Sequence, residues 1–128
     1  MARCRFVQPD SKRLDLSSGD WIEVKVELTA GETRDLFGRM RPYVTPGELN
    51  QLIAKEVGIA RIVAYLLDWS FVDPDLKRVP VSVQAIDGLF PEDFAEVLSV
   101  IDVHIAAQDS KRAAEKNGLA GSTNSAAT

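Results

Sequence analysis

The sequence predicts an α+β, mainly α domain: a small N-terminal β-hairpin or three-stranded sheet over residues 5–28, then a four- to five-helix body over residues 29–117. Three observations carry this. Residues 21–28 alternate apolar and charged with a period of two; later segments place apolar residues three and four apart; and those segments open on helix-start signals.

In Trp21 to Leu28, Ile22, Val24, Val26 and Leu28 fall on one side and Glu23, Lys25 and Glu27 on the other, as in a strand with one wet face. Arg13-Leu14-Asp15-Leu16 alternates too, and Ser17-Ser18-Gly19-Asp20 between the two tolerates turn dihedrals, so the pair reads as a hairpin. Arg5 to Gln8 is the candidate third strand.

Thr29-Ala30-Gly31-Glu32 fits a capping box, and the helix it opens should carry Leu36, Phe37 and Met40 inward and stop before Pro42. Thr45-Pro46-Gly47-Glu48 repeats the signal. A second helix follows with Leu49, Leu52, Ile53 and Val57, weakened or broken at Gly58 before the apolar run Ile59 to Leu67. Ser82 can cap a short helix through Ile86 ended by Gly88. The last helix opens at Pro91 with Glu92 and Asp93 in its first turn, and buries Phe94, Val97, Leu98, Ile101 and Ile105. From Gly118 to Thr128 the residues are small and polar, which predicts a flexible C-terminal tail.

A chain of 128 residues with 45% apolar and 27% charged residues is one domain's worth and not a disordered composition. A net charge of −4 argues against nucleic acid as the main partner, because phosphate binding needs a local excess of Lys and Arg. Cys4 is the single cysteine, so no intramolecular disulfide or cysteine metal site can form. No apolar run nears the roughly 18 residues of a membrane span, and no secretory leader is visible, which makes a cytoplasmic location the simplest expectation.

Candidate chemistry is sparse. His104 is the sole histidine and lies beside the apolar stripe of the last helix, the place of a structural or surface histidine; no nucleophile or orienting carboxylate is marked for it. Asp68, Asp73 and Asp75 lack the glycine and terminal glutamate of a calcium loop, and Asp73-Pro74-Asp75 reads as a proline-started turn. Glu92 and Asp93 are explained by the helix start, and Glu96 by an outer face. The expectation is no catalytic residue, no metal and no cofactor. Trp69, Phe71 and Leu76, around a polar loop, are the candidate partner-binding residues, with Trp69 better suited to the core and Phe71 and Leu76 to an exposed contact.

Several of these segments, in this order, resemble the tail assembly chaperones of long-tailed, siphovirus-like bacteriophages. They are Ser18-Gly19-Asp20-Trp21-Ile22-Glu23-Val24-Lys25, Asp68-Trp69-Ser70-Phe71, Val79-Pro80-Val81-Ser82, Phe90-Pro91-Glu92-Asp93-Phe94, and the polar end Asp109 to Asn117. Glu115-Lys116-Asn117 can be encoded GAA AAA AAC, which contains a heptamer permitting a −1 ribosomal slip, the device by which members of that family make a longer form. The resemblance implies a non-catalytic protein of the host cell cytoplasm. It would coat the tape measure protein, meet the tail tube protein and self-associate, without nucleic-acid or membrane contact. A structural virion component, such as a head-tail connector or minor tail protein, is the other class the residues allow.

Overall fold

The strand β2 (Trp21–Lys25) is the middle of a three-stranded antiparallel sheet, with β1 (Ser11–Asp15) on one side and β3 (Leu66–Trp69) on the other. The computed structural model describes the backbone of residues 4–40 and 51–127 and, within these, the side chains outside 51–56 and 116–127. Four helices are present among the described residues: α1 (Ala30–Met40), α2 (Gln51–Tyr65), α3 (Val83–Asp87) and α4 (Pro91–Ala127). The predicted α+β, mainly α class is the observed one.

β1 and β2 pair with Leu14 opposite Ile22 and Arg13 opposite Glu23. The turn between them needs left-handed backbone at Ser18 (φ 61°) and Gly19 (φ 80°). Ile22 and Val24 are fully buried, as their alternation predicts. The third strand is not the expected one. Arg5 to Gln8 forms no strand: the chain folds back where the Asp10 N–H donates to the Gln8 carbonyl (2.8 Å), and the intervening Pro9 has no N–H to give a ladder.

Instead the run predicted to be helical as far as Leu67 leaves α2 at Tyr65 and pairs directly with β2 as β3. Trp69 lies opposite Ile22 and Asp68 opposite Glu23, but Val24 pairs with Leu66, so Leu67 is an extra, bulged residue. In a regular strand, residues three apart face opposite sides. The bulge restores both Leu66 and Trp69 to the core face and leaves Leu67 exposed.

α1 opens on the predicted reciprocal cap: the Glu32 N–H donates to Thr29 Oγ1 (3.1 Å) and the Thr29 N–H to Glu32 Oε1 (2.9 Å). Only part of its predicted inner face is covered, since Leu36 is buried while Phe37 is 59% exposed. The Lys25 ammonium, bonded to Glu32 from β2, is the chief cause holding that carboxyl below its ordinary value, with the Thr29 N–H second. A lowered value means the carboxylate's contribution is present above the unfolded value of 4.5 and is lost as the pH falls below it. Glu32→Gln is therefore expected to cost about 1 kcal/mol or less at neutral pH and to flatten the loss of stability below about pH 4.5. Urea midpoints at about pH 3 and about pH 7 measure this; parallel losses in both proteins would mean the carboxylate contributes nothing.

The cap predicted at Thr45 to Glu48, with Leu49, lies outside the described residues. α2 is continuous through Gly58, where the sequence suggests a break. The glycine has a packing role: a Cβ there would sit 2.8 Å from Leu98 Cδ2 and 3.7 Å from the Phe94 ring, so its absence lets α4 approach closely. α3 has the predicted cap, with Ser82 Oγ accepting from the Ala85 N–H (3.0 Å), and ends at Gly88. On α4, Val97, Ile101 and His104 are buried at helical spacing, while Phe94, Leu98 and Ile105 pack around them. The core joins Ile22 and Val24 with Ile62, Leu66, Trp69, Ile86, Val97 and Ile101. The backbone of α4 runs on through Gly118 to Ala127, where the composition suggests a tail.

Candidate docking surface

The segment after β3 is a small hairpin built on the core. Trp69 anchors its base: the residue is 1% exposed, its indole N–H donates to the Val79 carbonyl (2.6 Å), and its ring packs on Phe71 at 4.9 Å between centroids. As a candidate partner contact, Trp69 is thus corrected to a core residue, because a ring closed off from solvent cannot reach a partner without unfolding. Phe71 is half-buried against it. The Val79 N–H returns to the Phe71 carbonyl (3.0 Å), and Val72 bridges Arg78 one step further out.

The tip is Asp73-Pro74-Asp75-Leu76. Asp73 Oδ1 accepts from the N–H groups of Asp75 (2.8 Å) and Lys77 (3.0 Å), and the Leu76 N–H donates to the Asp73 carbonyl (2.9 Å). The carboxylate is engaged in holding a turn, as the proline-started turn predicts. Asp68 is engaged elsewhere, with Oδ2 3.5 Å from an Arg78 nitrogen and Oδ1 accepting from the Trp69 N–H. No cluster of three or more metal-capable side chains occurs among the described residues. Leu76, 82% exposed, is the one of the three candidate contact residues that stands fully in solvent.

The outer face of the sheet supports the hairpin. The Trp21 ring meets two guanidinium groups, Arg13 at 3.7 Å from the ring centroid and Arg78 at 5.3 Å. Ser70 Oγ accepts from the Trp21 N–H (2.9 Å) and donates to Asp20 (2.8 Å), tying the end of β3 to the β1–β2 turn. Glu96 takes both the N–H and the hydroxyl of Ser17, each at 2.9 Å, and so joins the first turns of α4 to that same turn. The outer-face acid of the sequence reading is a clamp.

His104 is 4% exposed, with Nε2 3.0 Å from the Lys25 carbonyl and 3.1 Å from that of Val26. Two acceptors at one nitrogen require that nitrogen to carry the proton. The ring also meets Tyr65 edge-on at 6.2 Å. It fastens α4 to the end of β2. Beside it, an apolar groove between α1, α2 and α4 is lined by Leu28, Leu36, Phe37, Tyr65 and Ile105. Burial, and then the carboxylates of Asp109 and Glu27, push the Tyr65 phenol above its ordinary value, which keeps it neutral.

No family model, curated protein or solved structure matches this chain. No helix among the described residues is long and apolar enough to cross a membrane.

Sequence reasoning missed the cation–aromatic contacts of Trp21: Arg13 reaches it through the predicted β1–β2 pairing, but Arg78 does so only through the hairpin that follows β3. It also missed the handedness of Leu76, whose φ is 61°. Glycine or asparagine would have signalled a left-handed position there; leucine gives no such signal.

Proposed function

We propose that this chain is a non-catalytic tail assembly chaperone of a long-tailed bacteriophage, which binds the tape measure protein in the host cytoplasm, keeps it soluble and assists tail tube assembly. The observation that supports this reading is where the resembling segments fall. Residues 18–25, 68–71, 79–82 and 90–94 are far apart in sequence, yet they adjoin one framework. Ser70 bonds to Asp20 and Trp21, the Trp69 indole to Val79, and Glu96, one turn into α4, to Ser17. That framework carries a hairpin whose apolar tip faces solvent.

A coat that tail tube subunits must displace needs many modest contacts rather than one tight one. Small exposed apolar residues on a folded scaffold suit that requirement. A −1 frameshifted longer form would add the part that recruits the tail tube protein.

Co-expression with the tape measure protein of the same phage tests the reading. The tape measure protein should remain in the soluble fraction only when this chain is present, and purified virions should lack the chain. Fixed stoichiometry in virions, with no effect on solubility, would favour the structural virion component instead.

A further inference from the structure

Leu76 is unfavourable for the fold on two counts. Left-handed backbone crowds the Cβ of an L residue, which is why glycine and asparagine usually hold this position in hairpins. An isobutyl group 82% exposed also gains nothing from burial. The backbone around it is over-determined. Asp73 accepts from the N–H groups of both Asp75 and Lys77, the Asp73 N–H donates to the Lys77 carbonyl (2.8 Å), and the Val72–Arg78 bridge closes the base. Strain that the surroundings enforce is characteristic of functional positions.

The neighbours of the tip define what could receive it. Asp75 and Lys77 are exposed, and neither forms an ion pair among the described residues. Arg78, by contrast, is occupied by Asp68 and the Trp21 ring. A convex apolar group therefore stands between an exposed acid and an exposed base. We propose that Leu76 is a knob that inserts into an apolar hole on the surface of the bound protein, with Asp75 and Lys77 facing a base and an acid on the rim of that hole.

The apolar face of an amphipathic helix provides such holes between four side chains, bordered by charges of both signs. With Asp75 and Lys77 on either side, the tip has no net charge to hold a polyanion, and a single leucine gives a lipid surface little to hold. The partner's identity as the tape measure protein rests on the chaperone reading above.

The full chain carrying Leu76→Gly or Leu76→Met tests the knob, with thermal unfolding read beside co-expression with the tape measure protein. Leu76→Gly should leave the melting temperature unchanged or raise it by about 2–5 °C, while lowering the soluble tape measure protein about tenfold. Leu76→Met should retain binding, since it still fills an apolar hole. A fall in the melting temperature of Leu76→Gly by a similar margin would make Leu76 a support of the fold and overturn the proposal. Equal solubilisation by Leu76→Gly and wild type would overturn the knob and leave the chaperone reading intact. Failure of the wild type itself to solubilise the tape measure protein would overturn the chaperone reading, and the assigned occupant with it.

Discussion

Replacing Trp69 by alanine is expected to destabilise the protein by about 3–5 kcal/mol, the range for emptying a large aromatic site in a core. The indole is 1% exposed and is among the largest fully buried side chains. Removing it opens a cavity beside Ile22, its partner across the β2–β3 ladder, and leaves the Val79 carbonyl without its indole donor. Against a total stability typically of about 5–15 kcal/mol, the loss is a large fraction of the whole. Trp69→Phe should cost less, about 1–3 kcal/mol, because a ring still fills most of the space while the hydrogen bond is gone. Urea unfolding followed by circular dichroism measures both, and Trp21 remains as a fluorescent reporter in each variant. An unchanged midpoint for Trp69→Ala would show the indole to be exposed and return it to the contact surface.

Ile101→Ala is expected to cost about 2–5 kcal/mol. Ile101 is 0% exposed and lies in the core cluster shared with Ile62 of α2 and Ile22 of β2. The surrounding elements are pinned by the Gly58–Leu98 approach and by the His104 bonds to β2, so the site has little freedom to collapse around a void. Val103, two residues on, is 67% exposed on the other side of α4. Val103→Ala should stay within about 0.5 kcal/mol of wild type. Thermal melts of the two variants test the rotational setting of α4, and equal losses would mean that the helix is turned differently on the core.

The helices were largely legible because their ends are written in local chemistry. The Thr29–Glu32 reciprocal cap, the Ser82 cap with Gly88 after it, and Pro91 before two acids each act over a few residues, and each forms as read. The central alternation of Ile22 and Val24 was equally plain. β3 was not, and the reason is geometric: the bulge places Leu66 and Trp69 on one face at a spacing of three, which in sequence is the signature of a helix. Phe37 shares its helical stripe with Leu36, and periodicity alone does not reveal that the floor beneath it stays open as a groove. For the docking surface, the sequence identified Leu76 as a candidate but not the conformation that sets it apart. Trp69 carried two readings that only burial separates.

The direct passage of α2 into β3 makes Tyr65–Leu66 a place where chain length cannot vary. Most junctions between elements absorb an inserted or deleted residue in a loop. Here there is no loop, and the register is already offset by the single bulged residue Leu67. A slip of one residue along the ladder would replace Leu66 and Trp69 at the core by Tyr65 and Asp68, or by Leu67 and Ser70. Length variation among related chains should therefore gather in the hairpin beyond Ser70, and fusion or circular permutation of this protein should avoid the joint.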